Sequence, residues 1–281
     1  MIHQIITLPG TLTRLEARLT DGGDKTPVIC IHGLTRNAAD FDELAPLLAA
    51  TGRNVIALSL RGRGRSDYDP NLARYFPTTY RDDVLAVLDH FGIQKAIFVG
   101  TSLGGITTIL ANESHPTRVA AAIINDVGPE LAPEGLERIA GYVGKFKGPA
   151  ASIEEAAARI KDINAVAFPD VDEQFWRKMA ERTFRKASDG WVLDYDPNIA
   201  PALAANGPAP DLWPSWASLA QTPTLLVHGE LSDLLTAPII AKMRKAHPNF
   251  DYICVPRIGH APMMTEPAAW AALQAFLQKL P

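Results

Sequence analysis

A chain of 281 residues is long enough for one large α/β domain, or for a core domain carrying an insertion. Its 47% hydrophobic and 21% charged content excludes disordered and collagen-like classes, and a net charge of −4 without a basic tract excludes nucleic acid or an anionic membrane as the expected partner. No apolar run approaches the roughly 18 residues of a spanning helix, residues 1–9 lack the pattern of a secretory signal, and Cys30 and Cys254 read as buried free thiols, so a cytoplasmic protein is expected.

In chain order, residues 2–8 and 12–19 read as two antiparallel strands joined at Pro9-Gly10, a strong turn pair. Residues 27–31 form a short apolar strand ending in His32-Gly33-Leu34, with a helix over 41–50 behind it. The loop at 32–37 therefore sits at a strand's carboxyl end, where open α/β sheets bind ligands; His32 itself is expected to be a packed loop histidine. A strand over 54–60 precedes Arg61-Gly62-Arg63-Gly64-Arg65-Ser66-Asp67, which matches neither a P-loop nor a dinucleotide fingerprint and reads as a structural turn. A helix over 78–91, closed by Gly92, leads to a buried strand over 95–99.

Gly100-Thr101-Ser102-Leu103-Gly104 follows that strand and precedes an apolar helical stretch at 106–111, the context in which Gly-x-Ser-x-Gly is a nucleophile elbow. A strand over 117–125 then ends at Asn125-Asp126-Val127-Gly128-Pro129. From 130 to 219 short β-branched runs give way to alanine, charge and scattered aromatics, with a capping box at Ser152 to Glu155, a helix over 175–185 and an exit loop at Asn206-Gly207-Pro208-Ala209-Pro210. This stretch reads as a helical cap, so the expected core is 1–129 plus 220–281. Strands over 222–227 and 251–255 and helices opening at Thr236 and Thr265 complete an eight-stranded, mostly parallel sheet flanked by helices.

A serine hydroxyl needs a base, most often a histidine oriented by a carboxylate. Among seven histidines, only His260 lies in a glycine-preceded loop at the end of the last strand, late enough for the order Ser, Asp, His. No His-Glu-x-x-His or Cys-x-x-Cys is present, so no metal is expected.

Through H-G-L-T-R-N, R-G-R-G-R-S-D, G-T-S-L-G-G and G-H-A-P the chain resembles the α/β-hydrolase superfamily over nearly its whole length. It is similar there to bacterial esterases, enol-lactonases and carbon–carbon bond hydrolases, and N-D-V-G-P adds a likeness to acetamidomethylene-succinate hydrolases. The resemblance implies cofactor-free hydrolysis of a small-molecule ester through an acyl-enzyme on Ser102, with the backbone N–H groups of Leu34 and Leu103 as oxyanion hole. A carbon–carbon or amide bond hydrolase with the same triad is the alternative, and a ligand receptor on a hydrolase fold the rival of another class. The superfamily's usual acid position is Ser232 here, with Asp233 one residue late. Asp126, at the strand end where some relatives carry their acid, is the expected partner of His260 and Asp233 the alternative. Arg36, and the cap's Arg138, Arg159, Arg177, Arg182 and Arg185, are candidates to hold a substrate carboxylate, solvation being the plainer expectation.

Overall fold

The computed structural model of the chain describes residues 1–8, 13–146, 148–205, 207 and 210–281. The Pro9-Gly10 turn, Leu12, and Asn206, Pro208 and Ala209 of the exit loop lie outside the described residues. In chain order the first elements are β1 (Ile2–Thr7), β2 (Arg14–Ile31), α1 (Leu44–Ala49), β3 (Arg53–Leu58), α2 (Pro77–His90), β4 (Ala96–Thr101), α3 (Leu103–Ser114) and β5 (Val119–Asn125). Next come α4 (Pro133–Tyr142), α5 (Ile153–Asn164), α6 (Glu173–Thr183), β6 (Phe184–Ala187), β7 (Gly190–Leu193), α7 (Ile199–Ala205) and α8 (Trp213–Ser218). The chain closes with β8 (Thr224–Gly229), α9 (Ala237–Ala246), β9 (Asp251–Val255) and α10 (Pro267–Leu277).

Seven of these strands form one sheet in the order β1-β2-β4-β5-β8-β9, with β3 paired to β2. The count is one below the expected eight because residues 14–19 of the first run and the run at 27–31 belong to the single strand β2. Its register explains the apparent pair. Residues 17 to 20 of β2 meet 58 down to 55 of β3, whereas residues 28 to 31 meet 55 up to 58, so one bent strand lines both edges of β3. Gly22 lies between these two arms, and a Cβ there would stand 2.2 Å from the Arg53 carbonyl oxygen. Within this sheet the pairings β4 to β5, β5 to β8 and β8 to β9 are all parallel.

Parallel strands covered on both faces need apolar side chains at consecutive positions, which is why they read as unbroken runs. In β4, Phe98 joins the cluster containing Val84, Leu88, Ile109 and Met243, while Ile97 and Val99 join Leu44, Leu48, Leu273 and Phe276 on the opposite face. Helices α2, α3 and α9 thus cover one side of the sheet and α1 and α10 the other.

Between β5 and β8 the chain builds further structure with a cluster of its own, including Ile153, Ile160, Phe168, Trp176, Met179 and Phe184. Ser152 caps α5 as its sequence suggests, accepting from Glu155 N at 3.2 Å. The helix expected over 175–185 stops at Thr183, and residues 184–187 pair antiparallel with 190–193 as a hairpin. The stretch is therefore not purely helical. Nor does all of it pack together: Trp216 of α8 is buried in the sheet's own core and donates from its indole to the Met243 carbonyl at 3.1 Å. No helix among the described residues is long and apolar enough to cross a membrane.

Candidate active site

The elbow forms because β4 turns into α3 with no linker. Ser102 takes φ 53° and ψ −115°, the left-handed region that L side chains avoid, and its backbone N–H is held by the Asn125 carbonyl at 3.0 Å. Glycine is required beside it: a Cβ on Gly104 would stand 2.0 Å from the Ile31 carbonyl oxygen, and one on Gly100 2.3 Å from that of Gly104. Leu103 opens α3, so its N–H has no helical carbonyl to bond one turn earlier.

The structure brings three of the sequence-selected side chains together. Ser102 Oγ lies 3.0 Å from His260 Nε2, and His260 Nδ1 lies 2.9 Å from Asp126 Oδ2. A carboxylate only accepts, so Nδ1 carries the proton and Nε2 is left with a lone pair facing the serine hydroxyl. Asp126 is fully buried at the end of β5 with φ 55°; Gly229 N–H donates to its Oδ1 at 2.9 Å and Ser232 Oγ to its Oδ2 at 2.7 Å. Asp233 is directed elsewhere. Its carboxylate makes a two-point pair with Arg138 of α4, and that guanidinium holds it below the usual carboxylate range.

Two supports of this arrangement escape sequence reasoning. The buried Asn125 donates from Nδ2 to Thr101 Oγ1 at 3.1 Å and to the Pro262 carbonyl at 2.7 Å, tying the elbow to the His260 loop. Its place beside Asp126 at a strand end is the only signal. Ser232 stands out in the sequence only as a departure from the usual acid position.

Gly33 and Leu34 line the same cleft as Ser102 and His260. The Leu34 carbonyl accepts from Arg63 Nε at 3.0 Å, and Arg63, itself buried, also donates to Tyr80 Oη at 2.9 Å under the Tyr80 ring. Arg61 is buried on Asp69 and Asp83, so the arginine-rich turn is scaffold for the loop that presents Leu34. His32 is fully buried, accepts from Leu60 N–H on Nε2 at 3.0 Å and donates from Nδ1 to the Gly33 carbonyl at 2.7 Å.

Arg36 reaches the cleft but its charge is already matched. Its guanidinium bonds Asp40 through Nε at 2.9 Å and also meets Asp40 and Thr183 through its terminal nitrogens; burial disfavours the charge, but Asp40 outweighs this and raises its pKa. The remaining candidate arginines have acidic partners too: Arg138 with Asp233, Arg159 with Glu155, Arg177 with Glu154, Arg182 with Glu43, and Arg185 with Asp194. The cleft wall is largely apolar, with Ile139, Phe146, Ile160, Phe168, Met179 and Leu193, and Thr35, Asn164 and Thr183 add uncharged polar groups. The Tyr142 phenol also lines it, its ionisation pushed upward chiefly by burial.

Burial has a consequence for acid stability. It lowers His32 to about 3, with Arg63 adding to the effect, and lowers His247, whose two ring nitrogens lack a hydrogen-bond partner among the described residues. Both are favoured neutral in the folded chain, so the unfolded chain binds more protons once pH falls below about 6.5. Stability is then flat with respect to these groups above that pH and falls below it, each histidine contributing up to about 1.4 kcal/mol per pH unit. Urea melts between about pH 6.5 and 4.5, above most carboxylate titration, read this slope; His247→Phe is expected to reduce it, and an unchanged slope refutes the assignment.

A family model for the alpha/beta hydrolase fold matches residues 26–267. The chain belongs to the α/β-hydrolase family. An α/β hydrolase from Novosphingobium aromaticivorans shares its fold with a TM-score of 0.91 and 40% identity, over 99% of this chain and 98% of that one. A 3-hydroxybutyrate-oligomer hydrolase from Cupriavidus necator is 33% identical over 270 residues, 91% of this chain and 89% of its own length. A 2-(acetamidomethylene)succinate hydrolase from Mesorhizobium japonicum is 27% identical over 248 residues, covering 88% of this chain and 86% of its own. Hydrolysis is the activity supported for this family member.

Proposed function

We propose that the protein is a serine hydrolase of carboxylic esters with a small, uncharged acyl group, acting through an acyl-enzyme on Ser102. The observation that carries this reading is the unbroken hydrogen-bond chain from Ser102 Oγ through His260 to Asp126. His260 Nε2 takes the serine proton as Oγ attacks the ester carbonyl, while Asp126 stabilises the imidazolium. The developing oxyanion is received by the N–H groups of Leu34 and Leu103, the second at a helix N-terminus where partial positive charge collects. Nε2 then protonates the departing alkoxide, and the same base activates water to release the acid.

An uncharged acyl half follows from the cleft wall and from Arg36, whose charge Asp40 neutralises. A carboxylate moved into such a wall without a free cation loses its hydration uncompensated. The 33% identical relative supports an ester substrate, since its name specifies oligomers of 3-hydroxybutyrate. In such an oligomer's dimer the acyl half is neutral and the carboxylate belongs to the leaving alcohol.

Labelling by a fluorophosphonate at Ser102, with turnover of p-nitrophenyl butyrate, tests the chemistry, and the 3-hydroxybutyrate dimer tests the narrower substrate. The p-nitrophenyl butyrate ester is expected to exceed p-nitrophenyl hemisuccinate in kcat/KM by about tenfold or more. Preference for the hemisuccinate refutes the uncharged acyl site. Labelling without ester turnover, accompanied by amide or carbon–carbon cleavage, transfers the same triad to that class.

A further inference from the structure

We infer that Ser232 is a positioning residue for the reaction: its hydroxyl holds the Asp126 carboxylate in the orientation that keeps the His260 imidazole turned toward Ser102. The inference rests on the proposed reading of these three residues as the reacting triad. It is carried by the way the Ser232 oxygen is used. A hydroxyl has one proton and two acceptor sites. Ser232 Oγ accepts from Leu235 N–H at 3.1 Å and Leu234 N–H at 3.3 Å, and its proton has Asp126 Oδ2 at 2.7 Å. That is the oxygen His260 Nδ1 bonds at 2.9 Å, while Gly229 N–H holds Oδ1 at 2.9 Å.

Each carboxylate oxygen is therefore gripped from the stretch 229–232. Without the Ser232 hydroxyl, Oδ2 keeps only the imidazole it is meant to orient, and the carboxylate can turn about its Gly229 bond. A hydrogen bond to a charged acceptor is among the stronger kinds, so its geometry is costly to lose. The holding stretch is itself fixed on three sides. Leu231 N–H donates to the Ile258 carbonyl at 2.8 Å, two residues before His260, and Ala132 N–H donates to the Leu234 carbonyl at 2.9 Å. The third tie is Asp233 with Arg138 of α4. One short loop thereby joins the strand end bearing Asp126, the loop bearing His260 and the first helix above the cleft. A purely structural turn would explain the bonds from Leu234 and Leu235, but not the proton directed at Asp126.

The test compares wild type, Ser232→Ala and Ser232→Thr in p-nitrophenyl butyrate kinetics, and reads the His260 Nδ1–H proton resonance in resting enzyme. Ser232→Ala is expected to lose about ten- to a hundredfold in kcat with KM little changed. Its Nδ1–H resonance shifts or broadens, and Ser232→Thr, which keeps a hydroxyl, recovers part of both. Should the alanine variant not fold, Ser232→Cys replaces it, being near in volume and a weaker donor. A folded variant with kcat within about twofold of wild type and an unmoved resonance overturns the inference alone. Wild type that neither labels at Ser102 nor turns over any ester overturns the proposed function, and this inference with it.

Discussion

Ser102→Ala is expected to lose about 10⁴-fold or more in kcat while the fold persists, because the residue's structural part is its backbone. The bonds that hold the elbow run from Ser102 N–H to the Asn125 carbonyl and from Gly105 and Ile106 N–H to the Ser102 carbonyl, all main-chain and all kept by alanine. Alanine is strained about as much as serine at φ 53°, so circular dichroism and the melting midpoint should stay near those of wild type. What disappears is the oxygen that meets His260 Nε2 in the hydrogen-bond network. His260→Ala is expected to be comparably damaging, since residues acting as one unit do not lose activity additively. His228→Ala should cost far less: its imidazole meets Tyr252 Oη at 2.9 Å and the Leu235 carbonyl at 2.9 Å, so both ring nitrogens are engaged away from the serine. Steady-state kinetics with p-nitrophenyl butyrate decide it. Ester turnover near wild type in Ser102→Ala would remove the mechanism, and a reversal of the two histidines would remove the assignment of the base.

Much of the sheet is legible in the sequence because parallel strands buried on both faces leave apolar runs: the one expected over 95–99 falls within two residues of β4 at either end, and the strand expected over 251–255 coincides with β9, although that edge strand is only partly buried. Boundaries slip where local pattern is silent. Nothing in the letters distinguishes two strands from one bent strand at 14–31, since the joining residues pair only through bulges and a glycine approach to Arg53. The hairpin at 184–193 is hidden for a different reason: four-residue strands are too short to establish a period of two, and Phe184 and Arg185 also fit the helical spacing of α6. At the site, the serine and histidine are set by backbone context that glycines announce. Which carboxylate meets the histidine depends on where a loop points its side chains, and Arg138, 95 residues before Asp233, captures the competing one. A long-range pair of that kind has no local signature. The arginine turn is likewise resolved only by distant partners, Asp83 and Tyr80, which convert a phosphate-like pattern into buried scaffold.

Asp126→Asn is expected to lower kcat by up to about 10⁴-fold, and Asp233→Asn by no more than about tenfold, although both residues satisfy the chain order of the triad. Asparagine preserves the shape of either side chain and removes its charge. At Asp126 the charge lies beside His260 Nδ1, where in the proposed mechanism it favours the imidazolium formed as Ser102 attacks, and an amide presenting NH₂ to Nδ1 would instead favour the opposite tautomer, with the proton on Nε2. The amide also disturbs two further bonds, since Gly229 N–H and Ser232 Oγ both donate to this carboxylate, and the substituted side chain must offer one acceptor and one donor in the same space. Asp233 has a different duty. Its partner is Arg138, whose hydrogen bond is the main cause of its lowered pKa, and the pair is partly exposed, so its loss loosens α4 from the loop at 231–235 at the modest cost typical of such ion pairs. The two variants should therefore separate in kind as well as size: Asp126→Asn in kcat at nearly constant KM, Asp233→Asn chiefly in KM and in the melting midpoint. A crippled Asp233→Asn beside an active Asp126→Asn would require the acid to be reassigned, with a loop rearrangement that breaks the Arg138 pair before His260 could be reached.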